Sequence, residues 1–174
     1  MSINNFQDSK SFEEKCRDRF DSIYMIYFRN LRKIDVITDR QLQFKGHDVH
    51  LIFDDKMWII DEKTRARDYN DILIEYISNN QTKRRGWIYE NESTFLAYLF
   101  PNNGFWLLNT QKIKEWVADE QSSFWHSDYK DVYADNVDPY GEKFRTISKV
   151  IPFSDMENND LVFYKILNVT GCFK

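Results

Sequence analysis

The stretch QLQFKGHDVHLIFDDKMWIIDEKTRARDYNDILIEYIS, Gln41 to Ser78, decides how this chain is read. It sets Asp48, Asp61, Lys63 and Glu75 among strand-forming apolar runs, where charges are ordinarily kept away. "DVHLIF" and "KMWIIDEK" are two such runs parted by Asp54-Asp55, the pattern of a β-hairpin. Strand side chains alternate, so Asp61 and Lys63 share a face and Glu62 takes the other. With a two-residue loop, Phe53 pairs with Lys56, His50 with Ile59 and Asp48 with Asp61, placing the two acids' Cβ atoms about 4.5–5.5 Å apart. A three-residue loop would bring Asp48 opposite Glu62 instead and turn Asp61 away.

Two carboxylates facing each other across a strand pair repel, which is a poor arrangement for stability alone. A hard divalent cation reverses the sign, since magnesium takes oxygen ligands and keeps several waters beside one or two carboxylates. Lys63, one place further along the same face, could then orient or deprotonate an attacking water, or neutralise charge on a phosphate. Solvent-facing charges on ordinary strands are the plainer alternative. Glu75 either extends the cluster or accepts hydrogen bonds from Arg65 or Arg67.

"GHDVHLIFDDKMWIIDEK" resembles the core motif of the PD-(D/E)XK nuclease superfamily: an acid at a strand start, a hairpin, then acid-x-Lys at the end of the next strand. Asp48 matches the first acid, Asp61 the second and Lys63 the lysine. "QFKGHD" is also similar to the Gln-x-x-Gly-x-Asp lead-in of small nuclease-like proteins of phages and mobile elements. Gly46-His47 stands where the motif's name puts proline. The resemblance covers about residues 11 to 78. It implies an α/β, restriction-endonuclease-like fold, a central mixed β-sheet flanked by helices. It also implies phosphodiester hydrolysis with Mg2+ or Mn2+ held by Asp48 and Asp61, and an additional metal-binding acid from the opening helix, Glu14 or Glu13.

Basic residues gather in the first half: Arg29 to Lys33, then Lys63, Arg65 and Arg67, then Lys83, Arg84 and Arg85. Arg65, Arg67 and the Lys83–Arg85 run are the candidate contacts to a nucleic-acid backbone, DNA in the first instance, although the formal charge of −4 gives no bulk attraction to phosphate. A homodimer is an open arrangement. A rival reading is a catalytically silent member of the fold that binds nucleic acid or a protein partner through its acidic 119–143 segment. Trp87, Trp106, Trp116 and Trp125 could stack on unpaired bases, although core packing is the commoner use. His47 and His50, three apart on a strand, fall on opposite faces and are not expected to share an ion. His126 reads as a loop residue.

At 174 residues, 42% hydrophobic and 17% aromatic, the chain has material for one core, and a single domain is expected, with its nuclease core over about 11–118 and an extension over about 119–174. Cys16 and Cys172 have no zinc or disulfide spacing. The N-terminus lacks the basic start and apolar core of a signal peptide, and no apolar run is of spanning length. The expectation is a soluble, cytoplasmic protein outside the membrane. Phosphate-loop, dinucleotide, nucleophile-elbow and zincin motifs are absent.

Around the central stretch, Ser11 and Glu14 have capping-box spacing, predicting one amphipathic helix from about 11 to 30. "VITDRQLQF" is expected as a strand, as are "DILIEYIS" and "NGFWLLN". "WIYENESTFLAYLFP" reads as a short strand at Trp87–Tyr89 leading into a helix ended by Pro101. Thr110 is expected to cap the helix "QKIKEWVADEQ". Residues 119–143 read as a long loop, and the tail as a strand through Val150 and Ile151 followed by an ambiguous "LVFYKIL".

Overall fold

Cys16, Phe20, Ile23 and Tyr24 recur at helical spacing and are all buried, which fixes the inward stripe of the first helix. A computed structural model describes the backbone of residues 6–65, 67, 69–101 and 104–167, with side chains from Cys16 onward. In chain order the elements are α1 (Phe6–Tyr27), β1 (Leu31–Val36), α2 (Arg40–Gln43), β2 (Val49–Phe53), β3 (Met57–Thr64), β4 (Asp71–Asn79), β5 (Arg84–Arg85) and α3 (Trp87–Glu90). There follow β6 (Phe95–Phe100), β7 (Gly104–Asn109), α4 (Thr110–Ala118), α5 (Ser123–His126), β8 (Asp131–Val137), β9 (Lys143–Pro152), α6 (Phe153–Asn158) and β10 (Val162–Ile166).

A six-stranded sheet in the order β1-β2-β3-β6-β7-β10 forms the middle layer, and it is mixed because β3 and β6 run parallel while the other pairs are antiparallel. An antiparallel sheet, β5-β4-β9-β8, forms a second layer. The chain is thus α/β, with helices flanking a central mixed sheet. One core joins α1 to the near face of the six-stranded sheet, through Phe20, Tyr24, Leu51, Ile60 and Phe105. The other fills the far face with Ile72 and Ile74 of β4, Ile113 and Trp116 of α4, and Phe153 of α6. Residues beyond 119 are built into both sheets, β9 beside β4 and β10 beside β7.

Several expectations change. Helix α1 continues back to Phe6, so Ser11 does not start it. "VITDRQLQF" is split: the strand ends at Val36, and the Asp39 side chain accepts from the N–H groups of Gln41 and Leu42 at 2.7 and 3.3 Å, capping the short α2. Trp87–Glu90 is a helical turn and "FLAYLF" a strand, the reverse of the expected order. All six β6 residues are buried, Leu96, Tyr98 and Phe100 in one core and Phe95, Ala97 and Leu99 in the other, so the run carries no polar alternation to mark it as a strand. Asn109, not Thr110, caps α4, accepting from Lys112 N–H at 3.0 Å. Residues 119–143 hold α5 and β8. The latter is a largely exposed edge strand whose charges erase the usual signal.

Candidate functional site

The hairpin adopts the two-residue loop. Phe53 N–H bonds to Lys56 C=O at 2.9 Å, His50 stands opposite Ile59, and Asp48 N–H bonds to Ile60 C=O at 3.0 Å. Asp48 and Asp61 therefore come together, close enough for the Asp61 charge to act on the Asp48 carboxyl. Asp61 is 2% exposed, and each of its carboxylate oxygens has a donor: Lys63 Nζ at 2.6 Å on Oδ1 and Asn91 Nδ2 at 2.6 Å on Oδ2. Asp48 Oδ2 accepts from Glu62 N–H at 2.8 Å. Asn91 Oδ1 in turn accepts from Ser93 N–H at 2.8 Å, which fixes the amide's orientation.

Burial, and then the charge of Asp61, push the Asp48 carboxyl up to about 7, against the pull of Glu62 N–H and Lys63. The folded protein keeps this proton to about pH 7, while the unfolded chain releases it near 3.8. Stability from this group is therefore full below about pH 4, falls as pH rises to about 7, and is level above that. Urea midpoints measured across that range with a chelator present should decline more steeply for wild type than for Asp48→Asn; parallel curves would remove Asp48 as the source.

On the opposite face of β3, Glu62 is held by the Arg17 guanidinium and by Tyr24 Oη, which donates at 2.8 Å. Burial raises the Glu62 carboxyl, with Arg17 pulling the other way. Arg17, Gln43, Asp48, Glu62 and Lys63 line a cleft of about 470 Å³ beside α1. Lys63 also borders a second cleft of about 230 Å³, shared with Arg65, Glu75, Trp87 and Tyr98. Its ammonium is 5.1 Å from the centre of the Trp87 ring. Gly86 lets the chain pass close against β4 just before Trp87, because a Cβ there would stand 2.2 Å from Glu75 C=O. Trp87 N–H then donates to Glu75 Oε1 at 3.3 Å, and burial raises Glu75 while Trp87 N–H and Lys63 lower it.

The expected basic contacts differ in setting. Arg65 is paired with Asp71 at 3.3 Å and lies over the Tyr69 ring. Arg67 and Lys83 are exposed. Arg84 lies 3.6 Å from Glu90, and its charge also lowers Glu75; Arg85 lies over the Tyr89 ring. Lys83 to Arg85 thus lie on and beside β5, just before Trp87, and do not line the second cleft. The side chains of Glu13 and Glu14 lie outside the described residues, as does Cys172. Among the described residues no three His, Cys, Asp or Glu side chains are gathered to hold an ion. Of the four tryptophans that could stack on bases, Trp87 alone adjoins this site, while Trp106 and Trp116 are core residues and Trp125 Nε1–H is bonded to Val117 C=O. His126 is exposed and bonded to Glu120 C=O.

The expectation that His47 and His50 fall on opposite faces is overturned. His47 and His50 are in contact, with Nδ1 and Nε2 at 3.1 Å. Gly46, at φ +81°, turns the chain just before the strand, so His47 belongs to the turn and strand alternation does not govern it. Asn91 is a further addition to the site; it reaches Asp61 from another element, and nothing in "YENES" marks it.

No family model matches the chain, no curated protein matches its sequence and no solved structure matches its fold. Among the described residues no helix is long and apolar enough to cross a membrane.

Proposed function

We propose that the chain is a metal-dependent nuclease of the PD-(D/E)XK type, with a restriction-endonuclease-like fold, hydrolysing phosphodiester bonds of DNA. The observation that carries this reading is the meeting of Asp48 and Asp61, with Lys63 Nζ 2.6 Å from Asp61, where Asp48 lines the first cleft and Lys63 borders both. The pair fits Mg2+ or Mn2+: a buried and a half-buried carboxylate side by side, with the Asp61 charge raising the Asp48 carboxyl, are the oxygen donors such an ion uses. Asp48 and Asp61 would hold the ion, which when bound supplies Lewis-acid charge stabilisation to phosphate.

The chain's own residues do the rest. Glu62 N–H and Asn91 hold the two carboxylates in fixed orientations. Lys63, 34% exposed in its side chain, faces solvent closely enough to bind the attacking water or the scissile phosphate. Arg84, Arg85 and Lys83 hold the backbone away from the reacting bond. One observation favours the silent binder: Asp61 already has a donor on each oxygen and is complete without an ion.

Plasmid, single-stranded and junction DNA incubated with magnesium, manganese or chelator decide between the two. Cleavage that needs the metal and is lost in Asp48→Asn supports the nuclease; DNA binding without cleavage under every condition supports the silent binder. Neutralising Lys83, Arg84 and Arg85 to alanine should weaken binding and flatten the slope of log affinity against log salt, by about 0.9 for each duplex phosphate no longer neutralised. The rate at saturating DNA should stay within a few-fold. An unchanged salt slope would take these three residues out of the interface.

A further inference from the structure

His47 and His50 form a pair that the hydrolytic chemistry leaves unused. Their facing nitrogens, His47 Nδ1 and His50 Nε2, share a hydrogen bond at 3.1 Å, with the rings inclined at 61°, so an ion bound between them takes the place of the shared proton. Two imidazole nitrogens on one tetrahedral zinc, each about 2.0–2.1 Å from the ion, are separated by about 3.3–3.4 Å, so the pair already has nearly the spacing of a chelate. The other nitrogen of His47, Nε2, is buried without a hydrogen-bond partner among the described residues, and Glu92 Oε2 is the carboxylate oxygen nearest it, at 3.6 Å. Ligating imidazoles turn their second N–H towards a carboxylate in this way, which fixes the tautomer.

A third donor stands close by. Asp35 on β1 is the direct register partner of His50 on β2, and directly opposed side chains share a face. Among the described residues its carboxylate is paired with Lys33 Nζ, at 3.0 Å in an exposed pair, and solvent-exposed pairs of this kind are weak. Turning Asp35 towards His50 therefore costs little. That rotation is what separates the residues as they stand from a three-donor cluster.

We propose that His47 and His50, completed by Asp35 and water, bind a late first-row divalent cation of the zinc type, separate from the oxygen site at Asp48 and Asp61. Imidazole donors favour zinc, nickel and copper, whereas carboxylate and water favour magnesium and manganese, so the two sites sort different ions. In the bound form His47 keeps its proton on Nε2, towards Glu92, and His50 carries its proton on Nδ1, leaving both facing lone pairs for the metal. The ion would cross-link the Gly46 turn to β2.

The test is calorimetric titration of the full chain with Zn2+ alone, with Co2+ as a spectroscopic probe. One Zn2+ per chain is expected, with the visible absorption of tetrahedral cobalt. His50→Ala, at a half-buried position that truncation should not unfold, should weaken binding by about tenfold or more. Asp48→Asn should leave it within about twofold. In wild type, the imidazole 15N resonances of His47 and His50 should shift with Zn2+ while those of exposed His126 stay. Absence of binding at millimolar Zn2+, equal affinity in His50→Ala, or loss in Asp48→Asn with His50→Ala unaffected would each overturn the site. None of these results depends on whether the chain cleaves DNA.

Discussion

Lys63→Ala is expected to lower the cleavage rate at saturating DNA by about 10²–10⁴-fold, the usual contribution of a positioned proton-transfer group, while Kd for DNA stays within a few-fold. Only contacts that strengthen in the transition state accelerate chemistry, and Lys63 is the cation that borders both clefts and touches the acidic pair. The substitution also strips a charge partner from Asp61, which is 2% exposed, so a melting curve must accompany the kinetics. Lys63→Arg separates the two effects. It keeps a positive charge beside Asp61, and under the proposed mechanism it should regain stability without regaining the full rate, because guanidinium does not release a proton at working pH. Cleavage by Lys63→Ala as fast as wild type at saturating substrate would remove the catalytic assignment and put the silent binder ahead.

Gly46→Ala should cost about 2–4 kcal/mol of stability, combining left-handed backbone strain of about 1 kcal/mol with overpacking of about 1–3 kcal/mol. At φ +81° an added Cβ would stand 2.5 Å from Asn91 Oδ1, and Asn91 cannot retreat without releasing Asp61 and Ser93 N–H. Gly141→Ala is the matched control: its φ is +88°, and nothing lies within 4 Å of the new Cβ, so only the backbone part remains. Urea unfolding should place Gly46→Ala well below Gly141→Ala. Equal losses would mean that Asn91 yields freely and does not pin Asp61.

The acidic pair is legible in the sequence because a hairpin with one two-residue loop leaves a single register, and strand alternation then places every side chain of β2 and β3. The same rule fails close by. His47 obeys the left-handed turn at Gly46 rather than the strand, and a positive φ at glycine cannot be assigned from the residue's neighbours alone. Phe95–Phe100 misleads because a strand buried on both faces is apolar throughout, and a continuous run fits helix or strand alike. Asn91 is invisible for a different reason. Its bond to Asp61 is created by the parallel pairing of β3 with β6, a contact no local pattern encodes. Strand β8, exposed and acidic at a sheet edge, hides behind its own charges.

The parallel pairing of β3 with β6 also bears on the order of assembly. The β2–β3 hairpin closes a two-residue loop and can form in about 1–10 μs, whereas Ile60 must wait for Phe95, thirty-five positions on, at an added closure cost of about 2 kcal/mol. The two acids therefore meet before Asn91 is brought to them, and their mutual repulsion falls on the folding arm of the chevron. Asp48→Asn should refold faster than wild type above pH 7, with its unfolding rate changed much less, and a variant that altered only the unfolding arm would place the hairpin after the barrier.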